Sequence, residues 1–194
     1  MELILLRHSS TKGNLLRRYI GTTDEALCPE GIVVAREKAK LYPKVDIVYA
    51  SPLRRCGQTA DIMFPGVSHI VIDGLRETNF GRFENKSYED LKDEPEYQKW
   101  IDSGGTTAFP DGESRDMAGA RTLGAFDDML RDLHSRTIKR AAAVVHGGTI
   151  MAIMSDRATP KRDFYAWQVK NCEGFLLHVG EENKTLTMIE EYRQ

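Results

Sequence analysis

His8 ends an apolar run, Leu3-Ile4-Leu5-Leu6-Arg7-His8, and a small polar stretch from Ser9 to Asn14 follows it. His146 repeats the pattern after Ala141-Ala142-Ala143-Val144-Val145, with Gly147 and Gly148 behind it. A buried strand that ends this way puts its last groups at the carboxyl edge of a sheet, where open α/β sheets bind ligands. An imidazole nitrogen can attack phosphorus and hold the phosphoryl group, which divides one difficult displacement into two. Its other nitrogen must then be hydrogen-bonded, and a backbone carbonyl between Ser9 and Gly13 is the expected acceptor. Arg7 adds a permanent cation whose fork matches phosphate oxygens. Two strand-end histidines beside an arginine make an anion site with a nucleophile, which is the chemistry of phosphate-ester cleavage.

Further groups could complete such a site. Ser51-Pro52-Leu53-Arg54-Arg55 follows a strand pattern and opens a helical one. With Ser51 as N-cap and Pro52 in the first helical position, the helix start offers amides to an anion. Cations there oppose the helix dipole, so an anion nearby is expected. Adjacent arginines cannot share one face, so one points inward and the other to solvent. Asn14 offers a neutral donor, and a protonated His146 would bind a phosphoryl oxygen and stabilise transition-state charge. Asp73 and Glu77 both follow a strand pattern as candidate proton donors, and spacing does not choose between them. Each residue also has a plainer reading: a core histidine for His8 or His146, an internal ion pair for Arg7, a turn or cap for Asn14, a solvated loop for the carboxylates.

The elements that would position these groups alternate. Strand patterns cover residues 2–6, 46–50, 69–72, 141–145, 174–179 and 185–191, and the first and fourth are apolar throughout, as central strands are. Helical patterns cover 30–41, 52–63, 87–91, 93–101, 113–133 and 147–155, and Ser87 with Asp90 forms a capping-box pair. The alternation predicts an α/β three-layer sandwich: a mostly parallel sheet with an antiparallel edge, and helices on both faces. The 194 residues, 41% hydrophobic, read as one domain, 1–194, with a small helical cap-like insertion over about residues 77–110.

Composition excludes several classes. A net charge of −2 with dispersed basic residues gives nucleic-acid binding no support. No run approaches the ~20 apolar residues that span a bilayer, and the apolar start carries Glu2 and Arg7, unlike a signal peptide. Cys28, Cys56 and Cys172 are odd in number and irregular in spacing, which reads as reduced thiols of a cytoplasmic protein without a cysteine metal site. A small phosphorylated molecule is the expected partner, with neither nucleic acid nor membrane; a homodimer stays open.

These motifs together resemble the histidine phosphatase superfamily, which includes cofactor-dependent phosphoglycerate mutases. Arg7-His8-Ser9 matches its Arg-His-Gly signature at two of three positions. Asn14, the segment from Ser51 to Ala60 with Arg55, Arg76-Glu77, Pro110-Asp111-Gly112-Glu113-Ser114 and His146-Gly147 follow in the family's order. The resemblance implies that His8 accepts the phosphoryl group. Arg7, Arg55 and His146 complete its pocket with Asn14 and Gly21. Glu77 rather than Asp73 is the acid and later the base for water, and no metal or cofactor takes part. Ser9 in place of glycine either costs about 1 kcal/mol in a left-handed backbone or adds a hydrogen bond to phosphate. Ser10 stands where many relatives carry a glutamate, which makes the pocket more positive.

The mutases of the family are longer, with a larger basic insertion after the acid. Here residues 79–94 are short and mix both signs, offering few cations for a second anionic group. That favours a phosphatase over a mutase, and residues 13–21 and 76–88 most resemble small bacterial phosphatases of the α-ribazole phosphatase type, which act in cobalamin assembly. Phe80, Phe83, Tyr88, Tyr97 and Trp100 then face either a ring-bearing leaving group or the core. The alternatives are a phosphoglycerate mutase and, more distantly, a non-catalytic phospho-ligand binding module.

Overall fold

A computed structural model describes residues 1–180 and 185–193. Seven strands form one sheet in the order β3-β2-β4-β1-β6-β7-β5. They are β1 (Glu2–Arg7), β2 (Ile47–Ala50), β3 (His69–Val71), β4 (Arg140–Val145), β5 (Ala158–Thr159), β6 (Gly174–Val179) and β7 (Leu186–Tyr192). Strands β3, β2, β4 and β1 run parallel, and β6 pairs antiparallel with both β1 and β7. The two-residue β5, parallel to β7 at the edge, was not legible as a strand pattern.

Strand alternation divides the core. Leu3 and Leu5 of β1, with Ala141, Ala143 and Val145 of β4, face α6 (Arg115–His134) and α7 (Gly147–Arg157). Ile4, Leu6, Ala142 and Val144 face α2 (Pro29–Lys38) and α3 (Arg54–Met63). These strands lack a polar face because helices cover both sides. The short helices are α1 (Lys12–Leu15), α4 (Tyr88–Leu91) and α5 (Pro95–Asp102). A third apolar cluster, Phe83, Leu91, Tyr97 and Phe109, lies outside the sandwich, with Tyr19, Phe80 and Trp100 against it.

Helix starts show where local chemistry decides and where a distant partner does. Ser87 and Asp90 form the expected capping box on α4. Ser114 caps α6 by accepting the Met117 amide at 3.1 Å. Ser51, however, does not cap α3, and Pro52 is not its first residue: the helix begins at Arg54 after Leu53. The Ser51 hydroxyl is held instead by His146 Nε2 at 2.6 Å. The first amide of α3 finds its acceptor in another loop, where Asp24 Oδ1 lies 2.7 Å from Arg54 N. A tertiary partner replaced the local cap.

Candidate active site

Register brings the two histidines together. Arg7 in β1 is paired with Val145 in β4, and His8 N donates to Val145 O at 2.9 Å. The residues that follow this pair, His8 and His146, then emerge side by side with ring centroids 5.1 Å apart, edge to face. Ser51 leaves β2 at the same edge, its amide on Val144 O.

His8 Nδ1 lies 2.6 Å from Ser9 O. A carbonyl only accepts, so Nδ1 carries the proton and Nε2 keeps its lone pair. Burial lowers the His8 pKa well below 6.5, and the Arg55 and Arg7 charges add to that. The imidazole is therefore neutral at neutral pH and can donate an electron pair. His146 is driven the same way by burial, Arg55, His8 and Arg7. Its Nε2 lies 2.6 Å from Ser51 Oγ and 3.5 Å from Cys56 Sγ.

The arginines surround this pair. Arg55 is wholly buried while Arg54 is exposed, the inward and outward split that adjacency demands. Arg55 donates to the carbonyls of Thr23, Gly21 and Ile20. Arg7 Nη1 donates to Val169 O at 2.7 Å. Among the described residues, the Nε–H groups of both are buried without a partner, which costs roughly 1–3 kcal/mol each unless something accepts from them. Burial lowers the Arg7 pKa, Glu77 counters that, and Arg55 adds to it. Two close guanidiniums with orphaned donors beside two neutral imidazoles describe a place for an anion.

A cleft of about 360 Å³ opens outward from here. Arg7, His8, Asn14 and Glu77 line it, whereas Arg55 and His146 lie behind its wall. Glu77 accepts from the Thr78 amide at 2.9 Å and the Gly148 amide at 3.2 Å. A Cβ on Gly148 would stand 2.4 Å from Glu77 Oε1, so only glycine leaves room for the carboxyl. Asp73 is a surface residue paired with Arg76. Asn14 Oδ1 is taken by the Thr11 amide and by Asn171 Nδ2, leaving its NH₂ as the free donor. Gly21 does not reach the cleft lining. Its amide donates to Glu84 and its carbonyl accepts from Arg55, and a Cβ there would meet Thr78 O at 2.0 Å. Its part is to let one loop pass against another.

Neither sequence reading of Ser9 holds. Ser9 is absent from the residues with positive φ, and its hydroxyl turns away to Gly31 O at 2.7 Å. The count of cations also needs correcting. Arg18 and Arg115 line the cleft from outside residues 79–94, Arg115 with its guanidinium 5.3 Å from the Phe164 ring. Of the five aromatic candidates, Phe80 and Trp100 line the cleft, Phe83 and Tyr97 fill the outer cluster, and Tyr88 is exposed. Tyr19, Phe109, Phe164 and Tyr165, lining residues too, had no motif to reveal them. Asn171 and Glu84 were missed as well. Asn171 supports His8 O and Asn14, and Glu84 ties Gly21, Thr22 and Thr23 to the Phe80 amide. Among the described residues, no His, Cys, Asp and Glu side chains cluster in a metal-holding group, and no helix is long and apolar enough to cross a membrane.

Residues 3–191 match the histidine phosphatase superfamily (branch 1). A protein named "Putative phosphoserine phosphatase 2" from Hydrogenobacter thermophilus is 32% identical over 161 residues, 79% of this chain and 76% of that one. A "Probable phosphoglycerate mutase GpmB" from an Enterobacter species is 33% identical over 137 residues, 68% of this chain but only 64% of that one. The crystal structure of an α-ribazole phosphatase from Shigella flexneri superposes with a TM-score of 0.87 at 22% identity, covering 99% of this chain and 96% of that one; likeness at that identity concerns the fold.

Proposed function

The chain belongs to the histidine phosphatase superfamily, and from that premise we propose that it hydrolyses a small phosphomonoester through a phosphohistidine on His8. One observation carries this reading: the Nδ1–H of His8 is fixed on Ser9 O, so Nε2 is the nucleophilic nitrogen. In the first step the Nε2 lone pair forms a bond to phosphorus and the P–O ester bond breaks. The leaving alkoxide takes the proton of the Glu77 carboxyl. In the second, Glu77 takes a proton from water, which attacks the phosphohistidine and releases inorganic phosphate with His8 neutral again. Arg7 and Arg55, through their unpaired Nε–H groups, and Asn14 hold the phosphoryl oxygens. His146 joins them, and the arriving dianion raises its proton affinity. Gly21 shapes the loop that Arg55 grips.

The named relatives point to phosphoserine, phosphoglycerate and α-ribazole phosphate, which share only the monoester. The segment from Phe80 to Phe109 acts as a cap over the leaving group, and its aromatic wall favours a ring-bearing one such as α-ribazole, which would place the enzyme in cobalamin assembly. A cytoplasmic setting and independence from metal belong to the same proposal. The second reading, a phosphoglycerate mutase, draws on Arg18 and Arg115, which offer cations to a carboxylate.

Brief mixing with ³²P-labelled substrate and an alkaline quench should trap label on the wild type and none on His8→Ala, with turnover intact after EDTA treatment. Label on the His8 variant, or activity lost to EDTA and restored by Mg²⁺, overturns the mechanism. Incubation with 3-phosphoglycerate and 2,3-bisphosphoglycerate separates the readings. Isomerisation outpacing phosphate release by orders of magnitude makes the protein a mutase.

A further inference from the structure

Glu77 lies on a loop, and a group on a loop holds its geometry only through neighbours outside it. Those neighbours converge on Arg121 of α6. Its Nη1 donates to the carbonyls of Gly74 and Arg76, both at 2.9 Å, and its Nη2 to Glu77 O at 3.4 Å. The same guanidinium forks onto Glu113, Nε to Oε1 at 2.8 Å and Nη2 to Oε2 at 2.7 Å. An arginine has five N–H donors, and all five are used here. Glu113 in turn accepts the Asn79 amide at 2.9 Å and returns its own amide to Asn79 O at 2.9 Å. Both side chains are largely buried, 14% and 16% exposed. Burial would raise the Glu113 pKa, but the hydrogen bonds from Arg121 and Asn79 hold it below its usual value, so the pair is ionised.

The backbone is thus gripped on both sides of the carboxyl: at Gly74, Arg76 and Glu77 by Arg121, and at Asn79 by Glu113. None of these contacts reaches the cleft, since neither Arg121 nor Glu113 lines it. We infer that Arg121, locked by Glu113, is a positioning residue that presents the Glu77 carboxyl to the leaving oxygen. The inference rests on the reading of Glu77 as the acid. A lysine in its place keeps the charge but has three donors and no planar fork, so it cannot hold three carbonyls and a carboxylate together. A displacement near 1 Å is enough to cost about 10²-fold in a positioned reaction.

The test compares kcat/KM for p-nitrophenyl phosphate, whose leaving group barely needs a proton, with that for β-glycerophosphate, whose alkoxide does. This ratio counts steps only through departure of the leaving group, so water attack on the phosphoenzyme does not blur it. Arg121→Lys should lose about tenfold or more on β-glycerophosphate and less than about threefold on p-nitrophenyl phosphate. Glu113→Gln should show the same bias more weakly and serves if the first variant folds poorly. Guanidinium in solution should restore part of the β-glycerophosphate rate to Arg121→Ala. Equal losses on both substrates, no loss, or no rescue overturns the inference. Glu77→Gln run in parallel separates the failures: if it too lacks the bias, the acid assignment falls; if it shows the bias and Arg121→Lys does not, only the positioning role falls.

Discussion

At and behind the inner end of the cleft, His8 and His146 follow register partners in adjacent parallel strands, and Arg55 sits one residue into a helix that leaves the next strand. At the outer end, Tyr19, Phe80, Trp100, Phe109 and Phe164 arrive from separate loops and short helices. The inner groups are fully or nearly fully buried and backed by two core clusters. Of the outer ones, Phe109 belongs to a small cluster of four buried side chains, and Tyr19, Phe80 and Trp100 pack against it. The difference assigns labour. On the proposed reading, a phosphoryl pocket needs preorganised donors whose positions cost nothing at the moment of reaction, and the sheet edge would supply them. Substrate choice needs only a wall that can be altered without disturbing the sheet, which is what loops on a rigid scaffold provide.

The largest expected effect comes from the inner end. Arg55→Met should lower kcat/KM by about 10²–10³-fold, the cost of losing one preorganised donor to transition-state charge, and by the same factor for every phosphomonoester. A loss confined to some substrates would break the division between the two ends. Because Arg55 also holds three loop carbonyls, a thermal melt should accompany the kinetics. Activity retained despite a lower Tm would make Arg55 a loop anchor only.

What the sequence made legible follows the same division. Strands β1 and β4 and the groups after them are local patterns, an apolar run followed by Arg-His or His-Gly, so each could be read in place. The choice of Glu77 over Asp73 came only from family resemblance, because the contacts that distinguish them, Gly148 and Thr78 on one and Arg76 on the other, are tertiary. The Ser51 cap failed for the same reason: its hydroxyl had a stronger claim from His146, 95 residues away. The outer wall was legible in part, as aromatic content without direction. Phe80 and Phe83 lie three residues apart, yet one faces the cleft and the other the cluster behind it. Arg18 and Arg115 carry no local signal of their place, because each reaches the cleft from a segment remote in sequence from Glu77.

A medium effect tests the outer end. Trp100 lines the cleft with its indole already packed on Tyr97 and Phe109, so a ligand ring would extend an existing aromatic group. Trp100→Ala should reduce kcat/KM for ring-bearing phosphomonoesters about 2–12-fold, the range of one aromatic pairing, and leave small alkyl phosphates nearly unchanged. A uniform loss across both classes would show that the cap shapes the phosphoryl pocket as well, and the two ends would no longer be separable.

The smallest effect is a pH dependence that belongs to the inner end alone. Burial, with Arg55 and Arg7 nearby, lowers both His8 and His146 well below 6.5 in the folded protein. The unfolded chain binds protons on these residues as pH falls through about 6.5, while the folded one does not. Their contribution to stability is therefore complete above that pH and is lost as pH falls towards the folded values, with a slope of up to about 2.7 kcal/mol per pH unit for two protons. Cys56, beside His146, does not interfere, since burial pushes its thiol up to about 12. Inorganic phosphate should oppose the loss, because its charge favours the protonated form of His146. The rise in Tm produced by phosphate should therefore grow between pH 7.5 and 6, and the growth should shrink in His146→Gln. Trp100→Ala should leave it untouched. Because phosphate itself gains a proton in this window, the comparison between the two proteins decides: the same pH dependence in the wild type and in His146→Gln would mean that His146 stays neutral with the anion bound, and that the arginines alone carry its charge.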